Sequence, residues 1–382
     1  MTMARYCDMG RSPAQLLADW IYSWGEPEFS EGRRVVFTQS GRAAIALAAQ
    51  LWDVGPNDEV LVPAYNCGSE ISPLIATGAH VSMYRVDSRA RIDVRDLLHR
   101  ITPRTRLVYV THYFGWPAEI SELVDYCHQQ DIKILEDCAL SLFSRGIGHS
   151  GDAAVFSLRK SLPVCNGGIL SLRNMDGPHN LPASQLMTVE TARGLLSLMK
   201  KWSIRFTHFR PGFQRANSLG DSTAPLDFPP LPASYYWSVN SAIAGPSRFS
   251  LGLLKRTEPC EVVRRRRNNY AQLRGSLDGI AGLTFLWEDE TLPDGMCPLG
   301  FPLLVDRRQQ WCNALIAAGV TVSPWWEGYH RGLEWNEFPE ARALKSRLLL
   351  LPVHQELTAR DVEYIAGVVC SLARTRTLPK RP

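Results

Sequence analysis

The sequence predicts an α/β protein with a mostly parallel central sheet, helices on both faces of that sheet, and a smaller α+β domain after it. Between residues 34 and 172, short β-branched runs alternate with helical periods. Polar residues gather where the predicted strands end, and near Ser247 the alternation gives way to a long helix with an arginine run. We therefore predict an N-terminal segment at 1–30, a large domain at 31–246 and a small domain at 247–382.

The elements follow from hydrophobic periodicity. Strands are predicted at the short apolar runs 35–37, 60–62, 81–84, 107–110, 132–135, 153–157 and 169–172, with shorter ones near 284–285 and 303–304. Helices are predicted where apolar residues recur every three or four positions: 13–24, 43–51, 70–77, 94–101, 119–129, 185–206, 247–273, 309–318 and 359–372. Parallel strands place their carboxyl ends at one edge of the sheet, where ligands bind in such folds. Polar residues fall at these ends, at 40–41, 63–66, 111–113 and 136–137.

Bulk composition excludes several classes of protein. A net charge of +4 over 382 residues is too small to indicate nucleic-acid or membrane-surface binding. No apolar stretch approaches the ~20 residues that span a bilayer, and no secretory signal is visible. The nine cysteines show neither a CxxC pair nor a metal-ligand spacing, which favours reduced thiols in a cytoplasmic protein without a metal. For the arginine run 264–267, a solvated helix face is favoured over anion binding.

The stretch from Lys133 to Gly168 indicates a specific chemistry. A buried strand ends in Glu136 and Asp137, and Lys160 follows in a short polar loop before paired glycines. A lysine amine can hold the aldehyde of pyridoxal phosphate as a Schiff base, and a carboxylate can pair with its protonated ring nitrogen. We assign these roles to Lys160 and Asp137; one of the two acids could instead cap the next helix.

Further residues are candidates for the same site. Ser40, Gly41 and Arg42 open a helix, where backbone N–H groups and the helix dipole attract a phosphate, although a plain N-cap is the alternative. Ser157 is a second candidate phosphate contact. His112 lies at a strand end, either over the cofactor ring or in an internal hydrogen bond, and its sequence context does not choose between these. The aromatic residues 325–330 are expected to serve packing.

These residues resemble the DegT/DnrJ/StrS family of fold type I pyridoxal phosphate enzymes, often called sugar aminotransferases. The resemblance covers residues 35–370. Its motifs follow one another in the order of the family: Ser40–Ala44, Gly55–Tyr65, Ile101–Thr105, His112–Ala118, Glu136–Ala139, Gly151–Asp152, Phe156–Ser157, Lys160 with Gly167–Gly168, Leu351–His354 and Leu357–Val362.

The resemblance implies that Lys160 is the Schiff-base lysine and Asp137 the pyridinium partner. Gly41, Arg42 and Ser157 match phosphate-binding positions. The family works as homodimers with shared sites, and Arg248 is similar in place to the arginine that crosses the interface.

Three departures from the family pattern stand out. Ser157 and Lys160 are three positions apart where many members have five. Leu140 replaces a glutamine that contacts the ring hydroxyl. Cys67 replaces an aromatic residue that stacks on the ring, a contact for which Tyr65 or His112 is a substitute.

We therefore expect a pyridoxal phosphate-dependent aminotransferase. It would move an amino group from an amino acid, glutamate by family usage, to a keto group of a nucleotide-linked sugar or a related biosynthetic intermediate. One alternative is pyridoxal phosphate chemistry of another kind, namely decarboxylation, elimination or carbon–carbon bond formation. Another is a non-catalytic ligand-binding protein on this fold.

Overall fold

A computed structural model describes residues 32–173, 229–237, 243–287, 291–335 and 337–377 of the chain. Seven strands form the larger sheet in the order β1-β7-β6-β5-β4-β2-β3. Strand β7 is antiparallel to β1 and β6, and the other pairings are parallel, which confirms the predicted mostly parallel α/β sheet. The strands are β1 (Arg33–Thr38), β2 (Glu59–Pro63), β3 (His80–Tyr84), β4 (Thr105–Thr111), β5 (Lys133–Asp137), β6 (Ala153–Ser157) and β7 (Gly168–Arg173).

Both faces of this sheet are buried, which explains why its strands are continuous apolar runs rather than alternating ones. Along β4, Leu107 and Tyr109 pack into one apolar cluster, whereas Val108 and Val110 pack into another on the opposite face. The helices of this part of the chain are α1 (Gly41–Leu51), α2 (Ser72–Ile75), α3 (Val94–Arg100), α4 (Ser121–Gln129) and α5 (Leu158–Ser161).

A second, antiparallel sheet has the strand order β10-β11-β9-β8. Its strands are β8 (Thr284–Phe285), β9 (Gly300–Leu304), β10 (Ser323–Pro324) and β11 (Leu348–Pro352). Its helices are α6 (Arg248–Lys255), α7 (Pro259–Leu277), α8 (Arg308–Ala317), α9 (Pro339–Arg347) and α10 (Ala359–Thr377). One apolar cluster contains residues of both sheets, and the domain boundaries at 30 and 246 stay predictions.

Three predicted elements differ from the structure. The single helix at 247–273 is wrong, because the chain forms α6 and α7 with Pro259 at the start of the second, a position where its missing N–H costs nothing. The helix predicted at 70–77 is shortened to α2. Lys160 lies in the one-turn helix α5 rather than in a loop. The helices predicted at 13–24 and 185–206 lie outside the described residues.

The arginine run divides between surface and interior. Arg264 and Arg265 are exposed and pair with Glu261, as a solvated face predicts. Arg266 is buried, with 3% of its surface exposed, so the solvated-face prediction is wrong for this residue. The reason is packing, since α7 turns Arg266 toward backbone carbonyls of other segments. Within the described ranges, no helix combines the length and apolar character needed to cross a bilayer.

Candidate active site

Sheet pairing brings the two principal candidates together. Asp137 is the last residue of β5 and lies opposite Val155 of β6. Lys160 follows three residues after the end of β6, within α5. The lysine is close enough for its positive charge to lower the pKa of Asp137. Both groups therefore lie at the carboxyl edge of the sheet, where the sequence predicts a ligand site.

Asp137 is held as a buried acceptor. Its Oδ2 accepts a hydrogen bond from the Tyr109 hydroxyl at 2.7 Å, and its Oδ1 accepts one from the Ala139 amide at 2.9 Å. Burial raises the pKa of Asp137 to about 6, and the negative charge of Glu70 acts in the same direction. The two hydrogen bonds and Lys160 oppose this rise. A cation placed beside Asp137 would stabilise its charged form.

Glu136 and His112 support this edge from within the protein. The Glu136 carboxylate accepts from the Gly151 amide at 2.5 Å and lies 2.8 Å from His112 Nε2. His112 Nδ1 accepts from the Ala118 amide, so Nε2 carries the ring proton. Burial alone would raise the pKa of Glu136, but the bonds from His112 and Gly151 lower it. His112 thus makes the internal hydrogen bonds that its sequence context left open. We call Asp137, Tyr109, Glu136 and His112 the cofactor wall.

The predicted phosphate-binding position lies at the start of α1. Ser40 is the N-cap, and its Oγ accepts from the Ala43 amide. The amides of Gly41 and Arg42 precede the first intrahelical bonds, so they are available to an anion. A Cβ added to Gly41 would lie 3.7 Å from Cβ of Ser157, which places the second candidate phosphate contact beside the helix start. The Arg42 guanidinium is directed elsewhere, because it donates to the Tyr235 carbonyl at 2.7 Å.

The paired glycines allow this arrangement. A Cβ at Gly168 would lie 2.3 Å from the carbonyl carbon of Ser40, so only glycine lets β7 pass so close to the helix start. Gly167 has a φ of +130° and donates its N–H to the Gln39 carbonyl at 2.7 Å.

Two tryptophans of the segment after β10 contact this region, so their assignment to packing alone is incomplete. The Lys160 Nζ lies 4.7 Å from the centroid of the Trp325 ring. Tyr65 is fully buried; its hydroxyl donates to the Trp325 carbonyl, and its ring packs against Trp326 at 4.9 Å. Two adjacent aromatic residues were the signal, but sequence alone does not place them beside Lys160.

The loop after β2 forms the side that faces Trp325. Burial, with the Glu70 carboxylate, raises the pKa of Cys67 to about 11, so the thiol stays protonated at neutral pH. Glu70 Oε1 accepts from the Cys67 amide at 2.7 Å. Three buried atoms here have no hydrogen-bond partner among the described residues: Asn66 Oδ1, Glu70 Oε2 and Trp325 Nε1. We call Asn66, Glu70 and Trp325 the pocket wall.

Sequence reasoning also missed a support for Lys160. The Arg266 guanidinium donates to the Ser161 carbonyl at 3.0 Å, and Gln355 Nε2 donates to the same oxygen at 3.3 Å. These bonds satisfy a carbonyl at the end of α5, directly after the lysine. The small-sheet part of the chain therefore fixes the lysine-bearing turn from behind.

Leu140 and Arg248 are the remaining residues that the family resemblance singled out. Leu140 is buried among apolar residues and offers no polar contact. Arg248 is exposed at the first position of α6, so its predicted role across a subunit interface stays a prediction.

The donor set fits pyridoxal phosphate. An amine beside a buried carboxylate suits the aldehyde and the ring nitrogen, and the helix start suits the phosphate. A model of the DegT/DnrJ/EryC1/StrS aminotransferase family matches residues 27–178. This part of the chain is similar to that family. This similarity, together with relatives named as aminotransferases and a similar structure in its PLP form, confirms the predicted recognition, and with it the aminotransferase class and the pyridoxal phosphate cofactor.

Relatives of this aminotransferase extend the comparison to most of the chain. The dTDP-4-dehydro-2,3,6-trideoxy-D-glucose 4-aminotransferase of Saccharopolyspora spinosa is 25% identical over 350 residues, which cover 87% of this chain and 83% of the relative. The aminotransferase TlmJ of Streptoalloteichus hindustanus has a TM-score of 0.68 at 21% identity, covering 97% and 93% of the two chains. A Streptococcus pneumoniae protein in its PLP form has a TM-score of 0.67 at 17% identity, covering 97% and 93%. The two structures show the shared fold.

Proposed function

We propose that this protein transfers an amino group from an amino acid, with glutamate as the first donor to test, to a keto group of a nucleotide-linked sugar or a related biosynthetic intermediate. The observation that supports it most is the placement of Lys160 and Asp137 at one sheet edge beside the start of α1. The name of the Saccharopolyspora relative adds a nucleotide-linked keto sugar as the class of acceptor.

The residues divide the work between them. Pyridoxal phosphate, when bound, supplies the electron sink that makes a proton at the amino-bearing carbon removable. Lys160 binds the cofactor through Nζ and, once released, moves that proton as general base and then general acid. Asp137 places a negative charge opposite the ring nitrogen and keeps it protonated. The amides of Gly41 and Arg42, with Ser157, hold the phosphate.

We also propose a homodimer, in line with the family resemblance. Helix α6 supports a dimer, because its first two residues offer an exposed surface: Arg248 is exposed, and the side chain of Phe249 is 47% exposed. The mass of the purified protein in solution, measured by light scattering, tests this. A cytoplasmic location is part of the same proposal; the described cysteines form no disulfide.

Two half-reactions test the function. Purified protein with bound cofactor is mixed with glutamate, and its absorbance is followed for conversion to the pyridoxamine form. The aminated protein is then mixed with dTDP-4-dehydro-2,3,6-trideoxy-D-glucose and with hydroxylated UDP-, GDP- and dTDP-linked keto sugars. Return of the original spectrum with an aminated sugar supports the proposal. If neither glutamate nor any other amino acid tested in its place converts the cofactor to the pyridoxamine form, decarboxylation, elimination or carbon–carbon chemistry is favoured instead.

A further inference from the structure

The pocket wall contains a hydrogen-bond acceptor and a hydrogen-bond donor that the protein itself leaves unused. Glu70 Oε2 and Trp325 Nε1 are buried and have no partner in the part of the chain that the structure describes. A buried polar atom without a partner costs free energy, and natural proteins keep few of them. Such atoms are expected where a ligand supplies the missing bond.

Both residues lie near Lys160 or the groups on which it acts. The indole ring of Trp325 lies 4.7 Å from the lysine Nζ. Glu70 acts electrostatically on Asp137 and Cys67, and Lys160 acts on the same two groups. The carboxylate and the indole are therefore close to the atoms where an acceptor's keto carbon has to arrive.

The positions of both groups are fixed by other contacts. Glu70 Oε1 is held by the Cys67 amide, so the second oxygen cannot turn toward it. The Trp325 carbonyl accepts from Tyr65, and its amide donates to the Leu348 carbonyl at 3.2 Å. Gly68 follows Cys67 with a φ of +82°, and a Cβ there would lie 2.7 Å from the His330 amide, so the two segments are packed against each other.

Resting on the proposed function, we propose that Glu70 and Trp325 form a subsite that recognises a hydroxylated sugar. Glu70 Oε2 accepts a hydrogen bond from a ring hydroxyl, and Trp325 Nε1–H donates one to a hydroxyl or ring oxygen. This subsite favours acceptors that keep ring hydroxyls over those that lack them, because an acceptor without them leaves both atoms unpaired.

The charges around the subsite agree with a neutral polar group. Glu70 faces Asp137 of the same sign, so a further anionic group of the acceptor would be repelled there. Lys345 is fully buried near Glu70 and Cys67, but it already donates to the Gly328 carbonyl at 2.6 Å and lies over the Trp335 ring. Hydroxyl groups, which both donate and accept, fit both unpaired atoms.

The test compares dTDP-4-dehydro-6-deoxy-D-glucose with its 2,3-dideoxy counterpart in wild type, Glu70→Gln and Trp325→Phe. Glutamine keeps an oxygen for the Cys67 amide and replaces the unpaired acceptor with a donor; it also removes the charge that raises the pKa of Asp137. Phenylalanine keeps a ring and removes only the N–H. We expect wild type to prefer the hydroxylated sugar. Each variant should raise the KM for that sugar by about tenfold and change the KM for the dideoxy sugar little. The melting temperature of both variants should stay unchanged.

Matched controls are Glu327→Gln, an exposed carboxylate in the Trp325 segment, and Trp326→Phe, the neighbouring indole. Both should keep the wild-type preference. A wild type that uses both sugars equally, or variants that keep its preference, would overturn the subsite while leaving the aminotransferase proposal intact. A wild type that aminates no keto sugar overturns both. Binding of the hydroxylated sugar to the aminated protein, measured by calorimetry, should weaken in parallel.

Discussion

The two walls of the site differ in how their polar groups are satisfied. On the cofactor wall, both oxygens of Asp137 and both ring nitrogens of His112 have protein partners. On the pocket wall, three side-chain atoms have none among the described residues. Fixed charges and dipoles are most effective when they are already oriented before the reaction, which suits the cofactor. Groups that select an acceptor are satisfied only when it binds.

The largest expected effect comes from removing the Lys160 side chain. Lys160→Ala removes both the attachment point and the general base, so kcat should fall by at least about a thousandfold. The side chain is exposed in the single chain, so the folded protein should persist. Single-turnover kinetics with glutamate measures the effect. Turnover close to wild type, with the absorbance of lysine-bound cofactor retained, would refute the assignment.

Replacing Asp137 should weaken cofactor binding and make it less dependent on pH. The pKa of Asp137 is about 6, so below that pH the carboxyl is mostly protonated and must lose a proton to pair with the ring nitrogen. Affinity in wild type should therefore rise as pH increases through about 6, by about tenfold between pH 5 and pH 7. Asp137→Asn should lower kcat by about 10²–10³.

The cofactor phosphate also titrates near this pH, and Asp137→Asn is the control for it. The variant keeps the phosphate's part of the pH dependence and loses the carboxylate's part. Equilibrium dialysis at several pH values separates the two. Identical pH profiles in wild type and variant would contradict the role of Asp137.

Tyr109→Phe is a smaller change that tests the same role of the Asp137 carboxylate in cofactor binding. The Tyr109 hydroxyl bond lowers the pKa of Asp137, so Tyr109→Phe should move the midpoint of cofactor binding above about 6. Cofactor affinity at pH 7 should fall by about tenfold or less. A midpoint that moves downward would show that the hydroxyl does not stabilise the charged carboxylate.

The smallest expected effect on catalysis comes from Arg266→Met, because this side chain supports the lysine-bearing turn without contacting the cofactor site. The substitution should act mainly on the stability of the fold. The change leaves the carbonyls of Ser161 and Pro298 without their guanidinium donor. We expect a loss of about 2–4 kcal/mol in the free energy of unfolding, measured by denaturant titration of the holoenzyme. Arg264→Met, at an exposed position of the same helix, should leave the transition unchanged. Equal effects of the two substitutions would show that burial of Arg266 is unimportant.

The placement of Asp137 and Lys160 at one sheet edge could be predicted from the sequence because it depends on local patterns, while their roles stay predictions. Asp137 ends a buried apolar strand, and Lys160 follows the adjacent strand within a few residues, so periodicity and position suffice. The position of Trp325 in the pocket wall and the support behind Lys160 depend on long-range contacts. Tyr65 meets Trp325 across 260 positions and Arg266 meets Ser161 across 105, and periodicity does not specify which surface meets which. Arg266 also illustrates that a run of charges can divide between solvent and interior when one helix face is packed.

We propose that Lys160 holds the cofactor, and a second lysine in the structure is a rival for this role. Burial lowers the pKa of Lys345 to about 8, which also suits a nucleophilic amine, and this lysine lies near Cys67 and Glu70. The holoenzyme is reduced with borohydride, digested, and its peptides are sequenced by mass spectrometry. We expect the reduced cofactor on the Lys160 peptide and none on the Lys345 peptide. A cofactor mass on Lys345, with Lys160 unmodified, would contradict it.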